Sequence, residues 1–157
     1  MTDNSSLPYR PCAGIMMINA DNNIFVGKRI DMPSEHWQMP QGGIDKGEDP
    51  LAAARRELLE EVGTDKIELL DSIDDWLTYD LPNHLLGKVW KGKYRGQSQK
   101  WYLFRFTGTD SDINIETEHP EFSDWKWTNP EKLIEEIVPF KKEIYSIIAK
   151  RFSLHLR

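Results

Sequence analysis

Two apolar runs open the chain, residues 12–19 and 24–29, on either side of Asp21-Asn22-Asn23, a polar cluster that favours a tight turn. They predict a β-hairpin. Residues 37–40 read as a short strand leading into Gly42 and Gly43. Asp49-Pro50 then marks a helix start, because Asp caps free backbone N–H groups and Pro is tolerated where no intrahelical N–H bond is made. Apolar periodicity carries that helix to about Val62, and Gly63 reads as its left-handed C-cap. Further strands are predicted over 67–70, 76–79, 100–107 and 125–128, between breaks rich in Gly, Pro, Asp and Asn. Two helices close the chain, over 130–138 and 139–152. The second places Phe140, Ile144, Ile147, Ile148 and Phe152 along one apolar stripe. Strands interleaved with a few helices imply an α/β class, a mixed sheet with helices on its faces.

Composition changes this picture little. The 157 residues suffice for one domain, 1–157, with a single substantial core. The lone cysteine, Cys12, cannot close an internal disulfide and reads as a buried structural thiol, which suits a reducing compartment. The polar start MTDNSSLPYRP lacks a basic leader segment, and AGIMMI is too short for a membrane span. A cytoplasmic protein is expected.

Charge is more informative. Net charge is −6, which disfavours a general nucleic-acid-coating surface. Between Leu81 and Phe106, however, six basic residues occur (Lys88, Lys91, Lys93, Arg95, Lys100 and Arg105) and no acidic one. A localised site for an anionic ligand and a solvated basic loop are both compatible with that segment.

The densest chemistry lies in PQGGIDKGEDPLAAARRELLEEVGT, residues 40–64. At roughly 100° per residue Glu57, Glu60 and Glu61 gather on one side of the predicted helix, whereas Leu51, Leu58 and Val62 gather on another. Like charges at such spacings cost about 0.2–0.5 kcal/mol per pair unless something positive opposes them. Clustered carboxylates are natural ligands of a hard cation such as Mg²⁺. Gly42 and Gly43 permit close approach, so that a carbonyl of Gln41 or Gly42 can face a metal. Arg56 is placed to pair with Glu48 or a ligand glutamate.

Gly42, Glu48, Arg56, Glu57, Leu58, Glu60, Glu61 and Gly63 match G-x5-E-x7-R-E-U-x-E-E-x-G-U, the Nudix box, with Thr64 departing from its usual aliphatic final position. The chain therefore resembles a Nudix hydrolase. From Tyr9 to Phe152, through YRPCAGIMMIN, WQMPQGGI, WLTYDLP, GQSQKWYLFRFTG and VPFKKEIY, it is similar to the bacterial RNA pyrophosphohydrolases and their relatives, the dinucleoside tetraphosphate hydrolases.

That resemblance implies the Nudix α/β/α sandwich and attack of water on a polyphosphate aided by Mg²⁺, with Mn²⁺ as a substitute. It implies Glu57, Glu60, Glu61 and Glu121 as metal ligands with Gly42, and Glu57 beside Arg56 as the favoured base. Arg10, Tyr79 and Lys100 match positions near the polyphosphate, and Arg29 and Phe140 match a pair that sandwiches a base. The residues alone leave Tyr79 and Phe140 open to a core role. Expected substrates are 5′-triphosphorylated RNA or, alternatively, diadenosine tetraphosphate; a non-catalytic nucleotide or RNA sensor is disfavoured by the complete glutamate set.

Overall fold

The computed structural model describes residues 6–31 and 35–157. Residues 1–5, where the expected absence of a leader segment partly falls, lie outside them. Six strands form one sheet: β1 (Tyr9–Ile18), β2 (Ile24–Arg29), β3 (Gln41–Gly43), β4 (Ile67–Asp80), β5 (Gly96–Phe106) and β6 (Phe122–Thr128). Their order is β4-β5-β1-β2-β6, with β3 also paired to β1. β1 and β5 run parallel and the other described pairs antiparallel, so the sheet is mixed.

Both faces of this sheet are covered, which is why the middle of β1 is a continuous apolar run rather than an alternating one. Ala13, Ile15 and Met17 pack with Ala53, Ala54, Leu58 and Val62 of helix α1 (Pro50–Val62). Met16 and Ile18 face the other layer, with Leu133 of α2 (Pro130–Glu136) and Ile144, Tyr145 and Ile148 of α3 (Lys142–Arg151). An α/β/α sandwich results, as expected.

Local signals act as predicted at α1. Asp49 accepts from the Ala52 N–H at 3.1 Å, and Gly63 closes the helix at φ 74° with its N–H on the Leu59 carbonyl. At the hairpin, the Asn19 side chain accepts from the N–H groups of Asp21 and Asn23. Cys12 is fully buried, and burial pushes its thiol up to about 12.

Several expectations change. Residues 67–70 and 76–79 belong to one strand, because bulges between Leu69 and Asp71 and between Ile73 and Leu77 absorb the acidic interruption. β1 and β5 each start earlier than predicted. Residues 37–40 make only a single bridge, Gly27 to Gln38, and the strand is the adjacent Gln41–Gly43. Pro139–Lys141 is a separate 3₁₀ turn ahead of α3, so Phe140 leaves the helix stripe, Ile147 is exposed, and Tyr145 takes the buried position.

Candidate active site

β3 crosses the carboxylate side of α1 at close range, held by the pairs Cys12↔Gly43, Ala13↔Gly42 and Gly14↔Gln41. A Cβ on Gly42 would overlap the Glu57 carboxylate, and one on Gly43 would overlap the Arg10 guanidinium. Any larger residue at either position would push that carboxylate or guanidinium out of its place. The result is a polar cavity of about 380 Å³, lined by Glu57, Glu60 and Glu61 of α1, Glu121, Gly42 and Arg10, among others.

Arg56 organises the wall. Its Nε and Nη2 donate to the two oxygens of Glu48, both at 2.9 Å, Nη1 donates to Glu57 at 2.9 Å, and Nη2 also reaches the Gly43 carbonyl at 3.0 Å. Those bonds, with the Asp45 N–H, hold the Glu48 carboxyl down at about 2. Glu48 thus fastens the loop to the helix and leaves Glu57 on the cavity. Nη1 lies 3.3 Å from both oxygens of Glu60.

The remaining carboxylates repel. Burial raises Glu57 above its usual range and Glu60 adds to the rise, with Arg56 opposing it. Glu61 is only 5% exposed, and burial, then Glu57 and Glu121, push it well up. Its Oε2 is buried without a hydrogen-bond partner among the described residues. A buried acceptor in that state is costly unless a donor or a cation satisfies it. Among the described residues no three carboxylates converge into a ready cage, consistent with Glu57 and Glu60 both turning toward Arg56. The set of oxygen donors nevertheless fits a hard divalent cation.

A second cavity, about 490 Å³ and mostly apolar, adjoins the first. Arg29, Asp31, Gln38, Gln41 and Trp90 line both. Asp31 grips the Arg29 guanidinium through two bonds of 2.9 and 2.6 Å. Phe140 and Tyr79 form part of the apolar lining, their ring centres 5.8 Å apart, and the Tyr79 hydroxyl donates to Gln97 at 2.9 Å. Burial keeps that phenol above its usual range.

The structure therefore brings together Arg10, Arg29, Gly42, Glu57, Glu60, Glu61 and Glu121 on one cavity, and Arg29, Tyr79 and Phe140 on the other. Lys100 is a correction. It stands opposite Ala13, on the α1 side of the sheet, where its Nζ donates to the Asp74 carbonyl at 2.6 Å and lies 5.3 Å from the Trp76 ring centre. It lines neither cavity.

Sequence reasoning missed Gln97, Trp90 and Lys141, and the side chain of Gln41, which was considered only for its carbonyl. Gln97 and Gln99 carried a signal: two amides at a spacing of two, on the same strand face as buried Trp101, must hydrogen-bond inside. Gln99 accepts from the Trp101 indole and donates to Gln41 and Gln97. Lys141, 5% exposed beside Phe140, is lowered to about 8 by burial and by Arg29.

The NUDIX domain profile matches residues 8–147. The chain belongs to the NUDIX family. This NUDIX chain is 56% identical over 152 residues to a protein of Roseobacter denitrificans named RNA pyrophosphohydrolase, a match covering 96% of this chain and 95% of that one. A protein of the same name from Rickettsia canadensis is 53% identical over 147 residues, covering 94% and 91%. Among solved structures, an E. coli dihydroneopterin triphosphate pyrophosphohydrolase superposes with a TM-score of 0.66 at 18% identity, covering 88% of this chain and 94% of that one. A C. elegans Ap4A hydrolase superposes at 0.63 and 24%, covering 95% and 99%. At such identities the two structures speak for the NUDIX fold alone. As a NUDIX hydrolase the protein acts on pyrophosphate bonds, and use of a divalent metal ion is general to such enzymes. No helix among the described residues is long and apolar enough to cross a membrane.

Proposed function

We propose that this protein is a Mg²⁺-dependent RNA pyrophosphohydrolase, converting the 5′-triphosphate or diphosphate end of an RNA to a 5′-monophosphate by attack of water on a phosphoanhydride. The observation that carries this reading is the junction of the two cavities. Phosphates alone would need only the carboxylate-lined one, whereas the adjoining apolar space, with the Arg29 guanidinium and the Phe140 ring in its lining, suits a nucleobase. Likeness over nearly the whole chain to proteins bearing that name supports it.

In this reading Glu57, Glu60, Glu61 and Glu121 would hold Mg²⁺, or Mn²⁺ in its place, with a carbonyl of Gln41 or Gly42. When bound, the metal neutralises phosphate oxygens and makes water a stronger nucleophile. Glu57 takes the proton from the attacking water; Arg56 orients it by the 2.9 Å bond to its Oε1. Arg10 supplies planar, permanent positive charge to the phosphates. Arg29 and Phe140 hold the base of the nucleotide beyond the first, with Tyr79 beside Phe140. Residues 1–157 work as one catalytic unit in the cytoplasm, and the monophosphate product exposes the transcript to decay from its 5′ end.

The deciding experiment compares kcat/KM for triphosphorylated RNA and for diadenosine tetraphosphate on one preparation. A higher value for RNA is expected. A higher value for the dinucleotide, with ATP and AMP as products, would replace this reading with the alternative hydrolase.

A further inference from the structure

After β4 the chain leaves the sheet at Leu81 and re-enters it at Gly96. The connecting loop has two sides of different character. Leu81, Leu85, Val89 and Trp90 line the apolar cavity, and Trp90 lines the carboxylate cavity as well. Lys88, Lys91 and Lys93 instead extend into solvent. None of the three enters an ion pair among the described residues, whereas Arg95, at the end of the loop, is paired with Asp80. Three unpaired ammonium groups on one loop are notable in a chain of net charge −6. Exposed lysines are ordinary; their place on a loop whose Trp90 borders both cavities is not.

The backbone at that residue is constrained too. Trp90 and Lys91 both adopt left-handed conformations, at φ 50° and 57°, followed by Gly92 at 73°. Residues other than glycine hold such shapes only where surroundings over-determine them, and these sites cluster at ligand clamps. Here the surroundings include the Arg10 guanidinium, 5.5 Å from the Trp90 ring centre, and the Tyr94 ring edge-on at 6.1 Å. Arg10 in turn lines the carboxylate cavity. One contact therefore ties the cation proposed for the 5′ phosphates to the loop that carries the lysines.

We propose that the outer side of this loop is a track for the phosphodiester backbone of RNA beyond the nucleotides held in the two cavities. The inference rests on the RNA reading above and adds to it a surface that acts on length rather than on the 5′ end. Ammonium groups read phosphate charge without reading sequence, so the track raises affinity for any long transcript and leaves chemistry at the phosphoanhydride unchanged. A dinucleoside polyphosphate, which ends inside the cavities, gains nothing from it.

The test is the triple variant Lys88→Gln, Lys91→Gln, Lys93→Gln beside the corresponding triple Lys→Arg variant. Substrates are a long unstructured triphosphorylated RNA, a triphosphorylated dinucleotide and diadenosine tetraphosphate. Each single-strand phosphate contact contributes about −0.7 to the slope of log affinity against log salt. The Gln variant should flatten the slope of kcat/KM for long RNA by about 2 and lower that value by about 10- to 100-fold in low salt, through KM. It should leave both short substrates unchanged, and the Arg variant should behave as wild type. An unchanged salt slope, or equal losses for long and short substrates, would overturn the track while leaving the RNA reading intact. A wild-type preference for diadenosine tetraphosphate over every RNA would remove the reading itself, and the track with it.

Discussion

Replacing Phe140 by alanine separates base recognition from phosphate chemistry. The ring sits in the 3₁₀ turn Pro139–Lys141, half-buried, outside both core clusters and 5.8 Å from the Tyr79 ring. Stacking of a base on an aromatic side chain is worth about 1–3 kcal/mol, which corresponds to roughly a 5- to 150-fold loss of kcat/KM for triphosphorylated RNA. Folding should survive. Truncating a fully buried Phe costs about 3–5 kcal/mol, and a half-exposed one outside the core about half of that or less. For a chain of this size such a loss lowers Tm by at most about 10 °C. Arg10 and the glutamates are untouched, so a mononucleoside triphosphate, with no second base, should be hydrolysed as before. The assay is steady-state kcat/KM on both substrates, with thermal unfolding followed alongside. Equal losses on RNA and mononucleotide in a folded Phe140→Ala protein would refute the base-holding role.

Three further outcomes are expected. Excess chelator should abolish turnover without changing the circular dichroism spectrum, and full activity in chelator would end the metal-assisted mechanism. Glu57→Gln keeps side-chain size, so kcat should fall by about 10²–10³-fold in a folded protein; wild-type turnover would show that Glu57 carries no catalytic charge. Lys141 is lowered from its usual 10.5 to about 8 by burial, so between these values the unfolded chain binds a proton that the folded one releases. Its contribution to stability must rise with pH across that window. Lys141→Met should be more stable than wild type at pH 7, with the gap narrowing toward pH 10 in chemical denaturation, and a gap independent of pH would contradict the buried charge.

Local signals made α1 and its caps legible, because Asp49, Pro50 and Gly63 act within a turn of themselves. The carboxylate face was legible for the same reason: helical spacing alone gathers Glu57, Glu60 and Glu61. β4 was harder. It is an edge strand, and Asp71, Asp74 and Asp75 look like a break, yet an edge tolerates charge that a central strand would not. Lys100 was misplaced through strand parity. Its parallel register with β1 sends it to the α1 side, whereas Gln97, opposite Arg10, reaches the cavity. That pairing joins distant segments, and no periodicity within either reveals it. Phe140 was drawn into the helix stripe because a 3₁₀ turn and a helix share approximate spacing over a few residues.

The parallel pairing of β1 with β5 also bears on how the enzyme comes into being. Tyr9 meets Gly96, and Ile18 meets Arg105, so the centre of the sheet cannot close until well over half of the polypeptide has left the ribosome. The β1–β2 hairpin and α1 can form early from neighbouring residues, but α1 packs on Phe104 and Phe106 as well as on β1. Loop closure over such separations slows folding far more than it lowers final stability. The carboxylate helix thus waits, partly unsupported, for a strand made much later. A nascent chain halted before β5 would display its NUDIX segment without a sheet to hold it, and catalytic competence should appear abruptly once that strand is complete.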